Sequence, residues 1–146
     1  MTSALETLIE LSQERMDEAA KKLGEALASS QAQEQKLELL DQYRNEYIGR
    51  FRVSIENGIG PDAWSNYSAF LGKLDAAIEE QQLIVQQAQS NVSAGRQLWV
   101  DERNRKKAFD TLAVRQEKIA EKRQFKMEQK ATDEYSAKLF RRHAEQ

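Results

Sequence analysis

Few residue types in this chain could perform chemistry, and their spacing argues against it. There is one histidine, His143, four residues from the C-terminus, and no cysteine, so thiolate metal sites and disulfides are excluded. Carboxylate pairs such as Glu79-Glu80 sit in helical sequence without a histidine to complete a metal set. Gly58-Ile59-Gly60 lacks the further glycine, the lysine and the preceding strand that give a glycine loop its hold on phosphate. A two-helix rod also encloses no cavity in which a pKa could be strongly shifted. The expectation is a non-enzymatic protein with no cofactor and no metal.

Aromatic and cationic side chains remain as candidates for binding, and helices must position them. Charged residues make up 32% of the 146 residues and aromatics 8%, too little apolar material for a wide core and typical of extended helices. The single proline lies in Asn57-Gly58-Ile59-Gly60-Pro61-Asp62, the one helix-breaking cluster. Gly58 suits the left-handed residue that ends a helix, and Pro61 suits the first turn of the next. The sequence therefore predicts an all-α fold, a long antiparallel two-helix coiled coil (an α-hairpin) with its turn near residues 57–62. The first helix is expected over about 3–56 and the second over about 62–142, in a single coiled-coil domain 1–146. The tail 143–146 is expected to be disordered. At 1.5 Å per residue the helices would be roughly 80 and 120 Å long.

Heptad counting supplies the register. In the first helix, position a falls on Ile9, Met16, Leu23, Ser30, Leu37, Arg44 and Phe51, and position d on Leu5, Ser12, Ala19, Ala26, Gln33, Leu40, Tyr47 and Ser54; ten of these fifteen are apolar, enough for a seam. In the second, a falls on Leu71, Ile78, Val85, Val92, Trp99, Lys106, Ala113 and Ala120. Its d series is Tyr67, Leu74, Gln81, Ala88, Gly95, Glu102, Phe109 and Gln116. Folding about residue 59 makes residues face each other when their numbers add to about 118, so Leu5 falls near Ala113. Residues past about Gln116 have no partner helix, and an unpaired helix of that kind is expected to fray or to dock on another protein. Gly24, Gly49, Gly72 and Gly95 lie inside the helices and imply local softness or close helix approach.

Position g, which usually carries charge, holds Tyr43 between Lys36 and Arg50 in the first helix and Phe70, Ala77 and Ile84 in the second. The g positions of an antiparallel pair flank one edge. Leu40, Tyr43, Tyr47, Phe70, Leu74 and Ala77 are therefore expected to form a lateral apolar strip near the turn, either a binding surface or a widened seam. Charge is polarised along the sequence. Residues 96–142 hold 14 Lys/Arg against 8 Asp/Glu, a balance of +6, inside a chain of net charge −2. The cations alternate with acids along the sequence, so a solvated face rich in i,i+4 pairs is favoured and no nucleic-acid partner is expected. No apolar run reaches membrane-spanning length, and Met1-Thr2-Ser3-Ala4-Leu5-Glu6 lacks a signal-peptide pattern, so the expected location is cytoplasmic.

Leu40-Asp41-Gln42-Tyr43-Arg44-Asn45-Glu46-Tyr47, followed by Gly58-Ile59, Trp64, Asn66-Tyr67, Phe70, Leu74 and Ile78, resembles the flagellar FliJ export protein family, and the resemblance continues into Trp99 and residues 108–116. It implies a coiled coil like the central stalk of rotary ATPases, working in type III protein export for flagellum biogenesis and motility. The implied partners are the hexameric export ATPase FliI, the membrane export gate FlhA and export chaperones, with peripheral placement at the inner membrane's cytoplasmic face through those partners. The family's gate-binding surface carries over to Leu40, Tyr43, Tyr47, Phe70, Leu74 and Ala77. Lys36 and Gln81, at the rim of that strip, depart from the family's Gln and His. With the resemblance in place, Leu5, Ile9 and Met16 are expected to support a rod inserted in the ATPase ring, and Arg115, Lys118, Lys122, Arg123 and Lys126 to face its inner wall. An equivalent stalk of a virulence injectisome, or a generic coiled-coil interaction protein, is the alternative.

Overall fold

The computed structural model describes residues 3–145, and Gln146 of the expected tail lies outside them. Two helices account for nearly all of the described chain: α1, Ala4–Glu56, and α2, Pro61–Ala144. Helix α2 thus ends two residues beyond its expected limit. No strand occurs among the described residues.

Local chemistry sets the helix ends. Ser3 and Glu6 form a capping box: the Glu6 N–H donates to Ser3 Oγ at 3.1 Å, and the Ser3 N–H donates to Glu6 Oε2 at 3.3 Å. Two donors that a helix start leaves orphaned are thereby satisfied. Helix α1 stops where Gly58 takes φ of 82° and its N–H donates to the Ile55 carbonyl at 3.0 Å. That left-handed conformation costs glycine nothing and strains any residue with a Cβ. Pro61 opens α2 at the position where its missing N–H is harmless, and Trp64 N–H closes the first turn on the Gly60 carbonyl at 3.1 Å. Asp62 lies at the positive end of the α2 dipole and Arg141, Arg142 and His143 at its negative end, the favourable sense at both.

Two compact units divide the chain, Met16–Asp101 and Met1–Arg15 with Glu102–Gln146. Within Met16–Asp101 the helices pack antiparallel in the expected register, with every a and d position from Met16 to Ser54 and from Tyr67 to Trp99 buried or half-buried, while Trp64, one heptad before Leu71, is exposed. Ala19, Leu74, Ile78, Val85, Ala88 and Val92 form its buried apolar core. Each large member contributes about 1.5–3 kcal/mol by leaving water. Phe51 on Tyr67 and Leu23 on Gly95 meet the 118 rule directly. A Cβ at Gly95 would lie 3.5 Å from Leu23 Cδ1, whereas one at Gly24, Gly49 or Gly72 would meet nothing within 4 Å. Close helix approach thus applies to Gly95 alone.

Two polar seam residues recognise each other. Gln81, only 8% exposed, donates from Nε2 to both the backbone carbonyl and Oε1 of Gln33 at 2.9 Å. Both occupy d positions, where a polar pair sacrifices some stability and fixes register. Gln81 lies in the seam, as its d position implies, and it also borders the groove beside Lys36 and Tyr43 at the rim of the strip.

In the other unit Leu5, Ile9, Phe109 and Ala113 are half-buried and Ser12 is buried, a short seam of its own. It ends at Ala113. Every residue from Val114 to Glu145 is exposed, including Gln116 and Ala120, the last positions of the expected seam.

Candidate functional site

The unit Met16–Asp101 carries six aromatic rings in a ladder beside the turn. Phe51 lies 5.1 Å from Trp64 and 4.9 Å from Tyr67, Tyr47 lies 5.4 Å from Tyr67 and 4.6 Å from Phe70, and Phe70 meets Tyr43 edge-on at 6.4 Å. Seam positions supply Tyr47, Phe51 and Tyr67, and the g edge supplies Tyr43 and Phe70. Each such contact adds about 0.5–1.5 kcal/mol beyond area burial. Tyr67 Oη also shares a 3.2 Å hydrogen bond with Ser54 Oγ. The turn end is therefore the best-tied part of a thin core.

The structure sorts the six residues of the expected strip into three levels. Leu74 is buried in the seam; Leu40, Tyr47 and Ala77 are half-buried; Tyr43 and Phe70 are exposed at 44% and 37%. The surface a partner could touch is thus narrower than the six-residue strip, centred on the Tyr43–Phe70 pair. Leu39, 63% exposed, joins it and escaped the seam count. With Lys36, Leu40, Tyr43 and Gln81 it lines an open groove. The signal for Leu39 was present, a large apolar residue at a c position where solvent favours a polar one.

Electrostatics around the ladder are mild. Desolvation among the rings pushes the Tyr47 phenol above its ordinary value of 10.0, and the Tyr67 and Tyr43 phenols add to the shift. Tyr47 therefore stays protonated at neutral pH and works as a neutral hydrogen-bonding group. Arg44, at an a position, leaves the seam to pair with Asp75 through Nε to Oδ1 at 2.5 Å. Its stem covers the seam while the charge reaches solvent.

The second set of expected contact residues divides differently. Leu5, Ile9 and Met16 are half-buried seam positions that hold helices together rather than face outward. Met16 belongs to the unit Met16–Asp101, the other two to the second unit. Arg115, Lys118, Lys122, Arg123 and Lys126 are all exposed on α2. The expected i,i+4 ion pairs do not form there: from Val114 to Glu145 no salt bridge occurs among the described residues. Arg115, Lys118, Lys122 and Lys126 follow steps of three and four along one face of α2, with Arg123 at its flank and Glu121 beside Lys118 and Lys122. Cations scattered in the sequence of this stretch thus gather on one helix face.

No helix among the described residues is long and apolar enough to cross a membrane. No group of three His, Asp or Glu side chains among them could hold a metal ion.

Comparison with known proteins gives consistent results. The family model described as Flagellar FliJ protein matches residues 1–145. A Flagellar FliJ protein of Salmonella typhi is 34% identical over 142 residues, covering 97% of this chain and 97% of that one. A Flagellar FliJ protein of Escherichia coli K12 is 30% identical over 142 residues with the same coverage. The solved structure of a proposed YscO homolog from Chlamydia trachomatis superposes with a TM-score of 0.56 at 21% identity, covering 100% of this chain and 99% of that one, a likeness of fold.

Proposed function

This chain belongs to the Flagellar FliJ protein family, a family of non-enzymatic components, and from that premise we propose that it serves as a stalk and adaptor in flagellar type III protein export. In this reading it engages the hexameric ring of the export ATPase FliI, links it to the export gate FlhA, and handles export chaperones. It works in the cytoplasm, at the inner membrane through those partners.

The family match over residues 1–145 carries the reading. The exposed Tyr43–Phe70 pair supports a gate-binding role, because exposed aromatics on a two-helix scaffold offer anchor side chains at little ordering cost. Leu40, Tyr47, Leu74 and Ala77 then act from behind the pair by holding its rings in place. The basic face of α2 supports a contact with an acidic wall, with Arg115, Lys118, Lys122, Arg123 and Lys126 as the contributing cations. Leu5, Ile9 and Met16 support the helices that carry it.

Tyr43→Ala with Phe70→Ala should abolish capture by the gate's cytoplasmic domain in a pull-down while circular dichroism stays helical. Unchanged capture would remove the gate assignment. Adding the protein to purified ATPase should raise hydrolysis, and no change at saturation would remove the stalk role. The equivalent stalk of an injectisome is the second reading. The 34% identity to a flagellar relative favours the flagellar system.

A further inference from the structure

The two edges of the unit Met16–Asp101 differ in chemistry. In an antiparallel pair the e positions of both helices flank one edge and the g positions flank the other. The e edge carries Glu34, Asp41 and Asp75 and is stitched across the helices: Gln89 Nε2 donates to Glu34 Oε1 at 3.2 Å, and Asp75 accepts from Arg44. No g position in the unit holds a carboxylate, and no hydrogen bond or ion pair crosses between g positions. Beyond Tyr43 and Phe70 this edge continues away from the turn. Ala77, Ile84 and Leu98 stand on α2, with Ile84 and Leu98 exposed at 40% and 42%, and Lys36 and Lys22 stand on α1. Asn91 interrupts the apolar series, its amide oxygen taken by Gln87 of the same helix at 3.0 Å.

We propose that this continuation, from Ala77 to Leu98 with Lys36 and Lys22 alongside, receives an acidic amphipathic helix of a partner protein. The occupant is set by spacing and charge. Apolar residues separated by sevens recur about every 10.5 Å along α2, the step at which a third helix presents its own knobs. The cations stand only on the α1 side and are weakly engaged. Lys36 has no ion pair, and Lys22 has one exposed contact of 3.8 Å with Glu18 of its own helix. An exposed pair of that kind is worth about 0–1 kcal/mol and exchanges readily for a partner carboxylate. A helix with glutamates on one flank and leucines on its inner face therefore complements the edge in one orientation. A broad anionic surface does not. Glu18 and Glu25 on α1 and Glu80 on α2 lie in the adjoining helical row, so a surface covering both rows would meet all three carboxylates.

The inference goes beyond gate binding: it borders the gate strip at Ala77 and Lys36, while Ile84, Leu98 and Lys22 lie outside that strip. The test employs the full chain and two labelled four-heptad peptides with leucine at a and d, one carrying glutamate and the other lysine at the flanking positions. Fluorescence anisotropy should show the acidic peptide binding about tenfold or more tightly than the basic one. Ile84→Asp and Leu98→Asp should each weaken it about tenfold. Both positions are exposed, so circular dichroism should stay unchanged, and Ile84→Gln serves if the aspartate variant loses helicity. Because the chain has no cysteine, a photocrosslinker placed by Ile84→Cys should capture the acidic peptide. Tyr43→Ala and Phe70→Ala should leave peptide affinity within about twofold, which separates failure here from failure of the gate assignment. Three outcomes would overturn the proposal: equal binding of both peptides, indifference to Ile84→Asp and Leu98→Asp, or a dimer in light scattering that Ile84→Asp disperses. Tighter binding to phosphatidylserine vesicles with the same sensitivity would overturn it too.

Discussion

Gln81 and Gln33 show how one polar pair can govern a long seam. Apolar residues at both d positions would pack as well or better, so the pair's value lies in excluding a slipped register, where the Gln81 amide would be buried without acceptors. Gln81→Ala should cost about 1–3 kcal/mol in urea unfolding. Leucine at both positions should raise the midpoint while admitting alternative pairings, seen as broadened amide resonances. The d position of Gln81 was readable by counting sevens, and that position alone implies burial. The resemblance added its place at the strip's rim, where Gln81 borders the groove beside Tyr43. Leu39 shows the converse, since nothing in a seam count marks a residue outside the seam.

Helix α1 and helix α2 were legible as elements because a seven-residue period and one break leave little freedom. Their ends were less so. The Ser3–Glu6 cap was written in the sequence as Ser-x-x-Glu, yet it becomes a boundary only once the backbone is helical. The four interior glycines look alike in sequence, and only the helix opposite distinguishes Gly95. Its missing Cβ would sit in ordinary contact with Leu23, so Gly95→Ala should raise helix stability by about 0.5–1 kcal/mol, read as a higher thermal midpoint. Gly58→Ala should do the reverse by about 1 kcal/mol or more, because an alanine would be held at positive φ.

Across the whole molecule, charge follows two different arrangements. The sequence shows an excess of cations after Arg96, but only the continuous helix shows that Arg115, Lys118, Lys122 and Lys126 gather on one face. A period of 3.6 brings together cations that sequence order scatters. Because Val114–Glu145 buries nothing, deleting residues 117–146 should leave the thermal midpoint almost unchanged and abolish stimulation of the ATPase. A large loss of stability would show that this segment packs on the remainder.

The ring ladder beside the turn also bears on how the chain reaches its fold. Phe51 and Trp64 are separated by the shortest loop of any cross-helix contact between rings, so they can meet at the lowest entropic cost. Pairing then advances outward, each heptad closing against one already in place. Folding should begin at Gly58 and finish far from it, in the manner of a zipper. Phe51→Leu should slow refolding in stopped-flow measurements, whereas Val92→Ala should chiefly hasten unfolding. A chain emerging from the ribosome would keep its first helix uncovered until the aromatic residues of the second arrive, which makes the ladder a timing device as well as a surface.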